Sequence, residues 1–411
     1  MKNFFIIDEY ISSQKNGIGT FLKELIYCFT SNQNNLNLII FNAMTKEFDI
    51  TYEKGIKKIV FPVFNYGHYL ENSKIIEKFF RLYIPDSSNN IFFLNHSPCS
   101  DFIKSLKNAL PLSKIVFTIH DFGWTNPCMG DVKQYKRLVY EKSSSKNDEN
   151  KIEKNIIKIY KEEKEIYRLA DRVVCLSKDS YTVLRTIYNL PKDKISLIPN
   201  GLREAKIIKN KKEIEEIKSS LNVRNDEKIL VVIGRPTRQK GIYAIIDSMK
   251  HVVKNVKNIR LVVIGDANEQ SFRELIERAS LSAVSISFTG LLNKAKVHQW
   301  LSIADIGVIP SYYEQFGFVG VEMMMHGLPI IASNGMGVRN MFEDNVNGVI
   351  AKIGNKNRPN QYVHNLAKLI LKLLDSPDLC SCLSKAARHT YEEKYRISHM
   401  KTKYKRLVES L

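Results

Sequence analysis

Short runs of β-branched and aromatic residues alternate with segments of helical periodicity along this chain, and the alternation occurs twice. The first series of runs comprises KNFFIID, LNLIIF, KKIVF, NIFFL, KIVFTIH, RVVCLS and KISLIP. A second series begins after residue 225 with KILVVIG, IRLVVIG, VSISFTG, ADIGVIP and LPIIAS. Strands that alternate with helices form parallel sheets covered by helices on both faces. The sequence therefore predicts two doubly wound α/β domains, which a length of 411 residues also favours over a single core.

The division between the two domains is expected just after the P-N-G turn at 199–201, where a charged and weakly apolar segment follows. We interpret this segment as a linker, with a first domain over residues 1–205 and a second over residues 206–387. The end of the chain has helical character, and we expect residues 388–411 to pack back on the first domain. The segment 141–164 has the composition of a loop that leads into a long helix.

The charge balance of the chain is strongly basic, with 62 Lys and Arg against 43 Asp and Glu and a formal charge of +19. Such a charge attracts nucleic acid, anionic lipid and phosphorylated substrates alike. Basic and acidic residues are interleaved, and no zinc-finger, RNA-recognition or zipper pattern occurs, so no nucleic-acid partner is expected. The apolar runs are too short to span a bilayer, and an acidic pair after the first run leaves no room for a signal peptide. Six scattered cysteines without zinc-ligand spacing complete the prediction of a reduced cytoplasmic protein.

The most informative passage is DIGVIPSYYEQFGFVGVEMMMHGLPIIAS, which joins a strand, a polar loop, a glycine-bearing turn, a helix and a second strand. It predicts Glu314 in the loop and Glu322 one turn inside a helix that starts near Gly317. One carboxylate can accept hydrogen bonds from sugar hydroxyls, and the other from ribose hydroxyls. Backbone N–H groups near Phe318 and Val319, at the positive end of the helix, can face a diphosphate.

Two cations follow a predicted strand in the passage LVVIGRPTRQKGI. Arg235 and Lys240 lie in a loop that runs into a helix, at the carboxyl edge of the sheet, where open α/β sheets bind ligands. Their positions favour them over the neighbouring Arg238 as partners of a diphosphate. Because the chain contains no D-x-D pair for a divalent metal, these cations and the helix N-terminus are expected to neutralise the diphosphate without one.

Two strands of the first half are also followed by residues suited to ligand binding. Gly17 and Gly19 open a helix after the first strand, where missing side chains let the backbone approach a phosphate or a sugar. The third glycine and the downstream acid of a dinucleotide fingerprint are absent, which disfavours a nicotinamide enzyme. His120 and Asp121 end the strand KIVFTIHD, where the histidine can donate a hydrogen bond to a sugar hydroxyl or serve as a buried structural residue.

These passages resemble glycosyltransferase family 4, whose retaining enzymes have the GT-B fold of two Rossmann-like domains with an interdomain cleft. The resemblance rests on the E-x7-E spacing within the whole string PSYYEQFGFVGVEMMMHGLPIIAS and extends over nearly the whole chain. It implies that Glu314 and His120 contact the donor sugar, that Glu322 contacts the ribose, and that Arg235 and Lys240 neutralise the leaving diphosphate. The residues so implied in catalysis or substrate binding are Gly17, Gly19, His120, Asp121, Asn200, Arg235, Lys240, Glu314, Phe316, Gly317, Phe318, Val319 and Glu322.

The resemblance implies transfer of a sugar from a UDP- or GDP-sugar to an acceptor hydroxyl with retained configuration, without a cofactor or an essential metal. One departure lies after the second strand of the motif, where many relatives carry Gly-x-Pro-Glu and this chain has Gly337, Val338, Arg339 and Asn340. This departure removes a carboxylate contact to the donor. A nucleotide-sugar epimerase of the same fold and a basic lipid- or nucleic-acid-binding module are the alternative interpretations.

The acceptor is expected to bind the first domain, and a glycan, a lipid-linked glycan and a peptide all remain open. Tyr66, Tyr69, Phe79, Phe80 and Tyr83, with their basic neighbours, predict either a membrane-facing helix, as in relatives that glycosylate lipid-linked substrates, or an ordinary core helix. The first alternative would place the protein at the inner face of an anionic membrane. The strings FIIDEYISSQKNGIGTFLKEL and HDFGWTNPCMGD are similar to a minor branch of the family associated with peptide-modifying radical enzymes.

Overall fold

The chain forms two α/β units, as the sequence predicts. The first consists of Met1–Gly201 with Ile397–Leu411, and the second of Leu202–Arg396. The division falls a few residues before the boundary inferred from the sequence, and residues 388–396 belong to the second unit. The computed structural model describes residues 1–10, 17–30, 35–42, 47–62, 69–95, 99–141, 151–208, 210–280, 285–355 and 359–411.

The first unit is built on an eight-stranded sheet. Its strands are β1 (Asn3–Tyr10), β2 (Asn35–Asn42), β3 (Asp49–Glu53), β4 (Ile56–Pro62), β5 (Asn90–Leu94), β6 (Lys114–Thr118), β7 (Arg172–Cys175) and β8 (Ile195–Leu197). They lie in the order β3-β4-β2-β1-β5-β6-β7-β8, and the pairs are parallel except for β3 with β4 at the edge. The strand order reverses between β1 and β5, which makes this the topological switch point of the sheet.

Helices of the first unit cover both faces of this sheet, so central strands such as β5 are buried along their whole length. The helices are α1 (Gly17–Phe29), α2 (Tyr69–Tyr83), α3 (Ser100–Ala109), α4 (Val132–Tyr140), α5 (Lys151–Leu169), α6 (Lys178–Thr186) and, from the end of the chain, α14 (Ile397–Glu409). The buried Tyr404 of α14 contacts the rings of Phe29 and Phe93 at centroid distances of 6.0 and 6.1 Å. These contacts fix the last helix on the first unit.

The second unit has a six-stranded parallel sheet in the order β11-β10-β9-β12-β13-β14, with its switch point between β9 and β12. Its strands are β9 (Lys228–Ile233), β10 (Ile259–Ile264), β11 (Ser285–Gly290), β12 (Ile306–Ile309), β13 (Ile330–Ser333) and β14 (Val349–Ala351). Its helices are α7 (Lys211–Ser220), α8 (Ile242–Val252), α9 (Glu269–Ser280), α10 (Lys294–Ile303), α11 (Phe318–His326), α12 (Pro359–Leu374) and α13 (Pro377–Thr390).

The segment interpreted as a linker is in fact part of the second unit and contains α7. Asn210 caps this helix by accepting a hydrogen bond from the Lys212 N–H at 2.9 Å. Ile217 is the buried residue of α7, which is otherwise charged. One buried isoleucine and an N-cap are therefore sufficient to form and anchor α7. With a single apolar anchor, the sequence of this helix shows little hydrophobic periodicity.

Two strands are absent from the runs read in the sequence. β3 pairs with β4 through a tight turn in which Lys54 and Gly55 have φ of 51° and 78°, the conformation of a hairpin turn. Its side chains are mostly exposed, so β3 lacks the apolar pattern of the other strands. β14 is three residues long, which is too short to show a pattern.

Phe79 and Phe80 of α2 pack inward, as in the second of the two alternatives for this helix, while Tyr83 is 39% exposed. Phe80 is buried, and the ring of Phe79 lies 5.3 Å from that of Phe48. Tyr66 lies outside the described residues, as does the side chain of Tyr69. Among the helices in the described ranges, none combines the length and apolar character needed to cross a bilayer.

Candidate active site

Two loops of the second unit bring charged side chains together at the switch point of its sheet. One follows β9 and leads to α8, and the other follows β12 and leads to α11. Lys240 Nζ of the first loop lies 2.6 Å from Glu314 Oε1 of the second. Ser311 Oγ donates to the same carboxylate oxygen at 2.9 Å. The lysine and glutamate side chains are 25% and 15% exposed, so this pair is shielded but still within reach of a ligand.

Close backbone contacts hold both loops in place. The Tyr312 N–H donates to the Gln239 carbonyl at 2.8 Å, and the Glu314 N–H donates to the Met336 carbonyl at 3.0 Å. Gly337 has φ of 79°, and a Cβ there would lie 1.7 Å from the Glu314 carbonyl oxygen. Only glycine fits such a position, so the loop that lacks the family's Pro and Glu still supports the backbone of Glu314.

Helix α11 begins directly after the Glu314 loop, with Gly317 as its N-cap residue. Within the described chain, no side chain caps this N-terminus, so the first-turn N–H groups at Phe318 and Val319 are left to solvent or a ligand. Glu322 lies on α11, is 3% exposed and forms an ion pair with Lys294 at the start of α10. The ring of Phe316 packs against that of Phe318 at 5.6 Å, which orders the entry to the helix.

The two arginines of the β9 loop are both exposed. Arg235 follows Gly234 at the end of β9, and Arg238 directly precedes Gln239 of the same loop, with neither guanidinium in an ion pair to another described residue. The structure therefore brings Lys240 to Glu314 but leaves Arg235 without a contact to either predicted carboxylate. The role of Arg235 remains a prediction.

Two histidines lie beside the Glu322–Lys294 pair. His298 Nδ1 of α10 is 2.9 Å from His326 Nε2 of α11, and the rings are stacked. Burial lowers the pKa of His298, and burial together with the charge of its neighbours lowers the pKa of His326 to about 4. Both rings are therefore neutral at neutral pH, and Lys294 is the cation that faces the buried carboxylate.

In the first unit, helix α1 and the segment after β6 meet at the carboxyl edge of the sheet. The ring of His120 packs edge-on against Phe21 of α1, with centroids 4.5 Å apart. Gly17 is the exposed first residue of α1, and Gly19 is buried one position beyond Ile18. Asp121 is exposed and accepts a hydrogen bond from Thr125 Oγ1 at 2.7 Å.

Asn200, in the turn at the end of the first unit, is 2% exposed. Its Oδ1 is buried and has no hydrogen-bond partner among the residues that the structure describes. A buried amide oxygen without a partner is costly, which is consistent with the predicted role of Asn200 in holding a ligand or a water molecule.

Three residues of these sites have no counterpart in the sequence-based prediction. Ser311 lies three positions before Glu314, and a spacing of three residues within a loop does not by itself predict a contact. Lys294 is 28 positions from Glu322, and only the packing of α10 on α11 brings them together. Glu163 of α5 accepts a hydrogen bond from Gly123 across 40 positions. Contacts of this kind depend on tertiary structure and leave no local pattern.

The second unit thus combines two carboxylates, a lysine and an uncapped helix N-terminus at the switch point of a doubly wound sheet. This arrangement is typical of α/β proteins that bind ligands with phosphate and hydroxyl groups at this edge of the sheet.

The chain belongs to glycosyltransferase family 4 and has the GT-B fold. Residues 16–206 match the family described as Glycosyltransferase Family 4, and residues 213–390 match the family Glycosyl transferases group 1. The predicted resemblance and fold class are confirmed.

Two curated relatives illustrate the range of the family. An uncharacterised glycosyltransferase of Methanocaldococcus jannaschii is 31% identical over 180 residues, which are 43% of this chain and 46% of that protein. Alpha-monoglucosyldiacylglycerol synthase of Acholeplasma laidlawii is 25% identical over 195 residues, 47% of each chain. The matched regions thus span about half the length of these relatives.

Solved structures show the same fold over the full length. Sucrose-phosphate synthase of Thermosynechococcus elongatus has a TM-score of 0.75 at 17% identity, covering 100% of this chain and 98% of that one. Anabaena HepE, in complex with UDP and glucose, has a TM-score of 0.73 at 16% identity and covers 100% of both chains.

Proposed function

We propose that this protein is a retaining glycosyltransferase that moves a sugar from a nucleoside diphosphate sugar to an acceptor hydroxyl. The observation that carries the proposal is the Lys240–Glu314 pair beside the uncapped N-terminus of α11. One side of this site can bind phosphate oxygens, and the other can accept hydrogen bonds from hydroxyls. The Anabaena protein of the same fold contains UDP and glucose, which supports a donor of this class.

The leaving diphosphate is stabilised by Lys240 and the first-turn N–H groups of α11. Lys240 Nζ lies 2.6 Å from Glu314 Oε1 and neutralises this carboxylate. A bound diphosphate offers the lysine a stronger partner, and Glu314 then accepts hydrogen bonds from the donor sugar. As the bond from the anomeric carbon to the phosphate oxygen breaks, its electron pair goes to the diphosphate, where preorganised donors are most effective.

Retention follows from attack on the face that the diphosphate leaves. The acceptor oxygen forms the new bond to the anomeric carbon, and its proton passes to the departing phosphate oxygen. Ser311 fixes the orientation of Glu314 through its 2.9 Å hydrogen bond. His120 is expected to donate a hydrogen bond to the donor sugar.

The nucleoside is held by Glu322 in this proposal. Its carboxylate lies on α11, is nearly fully buried and keeps one oxygen in contact with Lys294. The second oxygen can accept hydrogen bonds from the ribose hydroxyls. The ammonium of Lys294 has further N–H groups that can donate to an acceptor atom of the ribose or base.

The reaction is proposed to need no divalent metal, because lysine and the helix N-terminus supply the positive charge. Activity should persist in the presence of a strong chelator, and added Mg²⁺ should change the rate by less than about twofold. Loss of activity on chelation, with recovery on adding Mg²⁺, would contradict this part of the proposal.

The test of the function is incubation with a panel of UDP- and GDP-sugars and candidate acceptors. The expected result is release of the nucleotide together with a product that retains the anomeric configuration of the donor. An inverted product would contradict the retaining mechanism. Interconversion of the nucleotide sugar without an acceptor would instead identify an epimerase.

The exposed face of α2 is proposed to contact an anionic membrane. Lys74, Ile75, Lys78, Arg81 and Leu82 all lie on this face, and the two aliphatic side chains are 43% and 77% exposed. Their spacing places cations and apolar side chains along one side of the helix, which is the composition of an interfacial helix.

Cosedimentation with vesicles tests this contact. Binding to vesicles of anionic lipid should be strong and should fall by about tenfold in a variant with Lys74→Glu and Lys78→Glu. Lys211→Glu with Lys212→Glu on α7 is the matched control, since both lysines are exposed. Equal binding of the two variants would contradict a specific role of α2.

A further inference from the structure

Aromatic stacking fixes the segment that follows β6. Trp124 lies flat on Tyr135 of α4, with ring centroids 4.2 Å apart and planes at 8°. Phe122 stacks on Tyr188 at 6.0 Å and 10°. All four rings are buried. The segment that begins with the candidate residues His120 and Asp121 therefore rests on a rigid aromatic platform.

One carboxylate is enclosed beside this platform. Glu163 Oε1 accepts a hydrogen bond from the Gly123 N–H at 2.8 Å, and Oε2 accepts one from the Tyr188 hydroxyl. The Tyr135 hydroxyl lies 2.7 Å from that of Tyr188 and extends the chain of hydrogen bonds. A Cβ on Gly123 would lie 2.8 Å from Ile159 Cγ2, so the absence of a side chain lets the segment approach α5 this closely.

The groups around Glu163 set its charge. Burial, with a smaller contribution from the charge of Asp121, raises the pKa of Glu163 to about 7 against the lowering effect of the hydrogen bonds from Tyr188 and Gly123. The titratable groups of the packed elements are Asp121 and Cys128 after β6, Tyr135 on α4, Tyr160 and Tyr167 on α5, and Tyr188 after α6. None of these is a cation, and within the described part of the chain Glu163 is held by hydrogen bonds and not by an ion pair.

We propose that Glu163 is a positioning residue that holds Gly123 and thereby fixes His120 and Asp121. The inference rests on the proposed function, in which His120 serves the donor sugar, and extends it to a residue outside the predicted site. Glu163 acts through the backbone of the segment and does not itself touch a substrate. The hydrogen bond from the Gly123 N–H to Glu163 fixes the backbone two residues after Asp121. It thereby fixes the orientation of the His120 and Asp121 side chains.

The experiment compares Glu163→Ala with Glu163→Gln. Amide hydrogen exchange of residues 119–130 is measured by mass spectrometry, and kcat and KM are measured with the nucleotide sugar. In Glu163→Ala, exchange of this segment should accelerate about tenfold, and kcat should fall about a hundredfold with KM for the donor nearly unchanged. Misplacement of a catalytic group affects the chemical step, whereas donor binding depends on the second unit.

Glutamine keeps an oxygen for Gly123 and an N–H for Tyr188 but cannot ionise. Glu163→Gln should therefore retain slow exchange and most of kcat. It should lose an inflection near pH 7 in the rate of the wild type, because Glu163 no longer changes charge beside Asp121. This variant keeps the proposal open to test even where the alanine variant fails to fold.

Glu165→Gln is the matched control, since Glu165 lies two positions further along α5 and pairs with Arg168 at 2.7 Å. It should change neither exchange nor pH profile. Unaltered exchange in Glu163→Ala, or an unaltered pH profile in Glu163→Gln, would overturn the proposal while sugar transfer by the wild type stands. A wild type that transfers no sugar would overturn the proposed function, and with it the catalytic part of this inference.

Discussion

The two units hold their candidate residues by different means. In the second unit, Lys240 and Ser311 meet Glu314 at 2.6 and 2.9 Å through polar side chains on two neighbouring loops. In the first unit, the segment after β6 is fixed by stacked rings and by Glu163, which is 40 positions away from the backbone it holds. The side chains of a polar cluster can replace their hydrogen bonds to each other with hydrogen bonds to a ligand. Stacked aromatic rings offer no such groups and serve to keep the segment rigid. Under the proposed function, the second unit therefore binds the donor and the first unit positions the groups that act on it.

The largest effect is expected for Glu314→Gln. Loss of the carboxylate replaces a charged hydrogen-bond acceptor for the donor sugar with a weaker neutral one and leaves Lys240 without its ionic partner. Turnover, measured as nucleotide release at saturating donor, should fall by about a hundredfold or more. Glu277→Gln on the exposed side of α9 is the control for loss of one negative charge. A rate within about threefold of wild type would remove Glu314 from the mechanism.

Glu322→Gln should weaken nucleotide binding by about tenfold, because a hydrogen bond to a charged group is lost. The effect should be smaller for a 2′-deoxynucleotide than for the ribonucleotide, and calorimetric titration of both checks this. Equal weakening of the two would mean that Glu322 serves only to hold Lys294 and α10.

Opposite pH trends in stability are expected from His326 and Glu163. The pKa of His326 is lowered to about 4, so the unfolded chain binds more protons and stability is lost as pH falls below about 6.5. The pKa of Glu163 is raised to about 7, so the folded chain binds more protons and stability is lost as pH rises from about 4.5 towards 7. Each trend amounts to about 1–2 kcal/mol between about pH 5.5 and 7.

Urea denaturation of His326→Asn and Glu163→Gln separates the two trends. Relative to wild type, His326→Asn should gain stability at the lower pH and Glu163→Gln at the higher pH. If either difference in unfolding free energy stays constant across this range, the corresponding group does not titrate as its environment implies.

The smallest effect is expected for Arg235→Ala. Arg235 is exposed and forms no ion pair with another described residue, so its attraction to a diphosphate is screened by water and salt. The nucleotide Kd should rise by about threefold at low salt and less at high salt. Arg238→Ala, in the same loop, should have no effect, and equal effects of both would reduce Arg235 to general charge attraction.

The sequence predicts the site of the second unit better than that of the first, because the residues of the second site lie close to strands that can be recognised as apolar runs in the sequence. Glu314, Glu322 and Lys240 each lie a few residues from an apolar run, and a parallel sheet brings the carboxyl ends of such runs to one edge. The structure adds partners that no run indicates, such as Lys294. In the fold, the same reasoning missed β3, whose exposed residues carry no apolar pattern, and α7, which one buried isoleucine anchors.

The first site was visible only in part. His120 and Asp121 end a buried strand and could be named, but Glu163 lies on a helix whose charged residues all look alike in the sequence. Its role depends on the approach of Gly123 to α5, which is a tertiary contact. Helix α2 shows the converse, since the pattern alone left a core helix and a membrane-facing helix equally open. The structure packs Phe79 and Phe80 against neighbouring rings, and the proposed membrane contact rests on other, exposed residues of the helix.

The most direct test of the central claim is calorimetric titration of UDP and GDP into the wild type and Lys240→Met. We expect one of the two nucleotides to bind the wild type with one-to-one stoichiometry. Lys240→Met should weaken this binding by about tenfold or more, while a nucleoside without phosphate should bind both proteins equally. Absence of binding by either nucleotide, or equal affinity in the variant, would contradict a diphosphate site at Lys240 and α11.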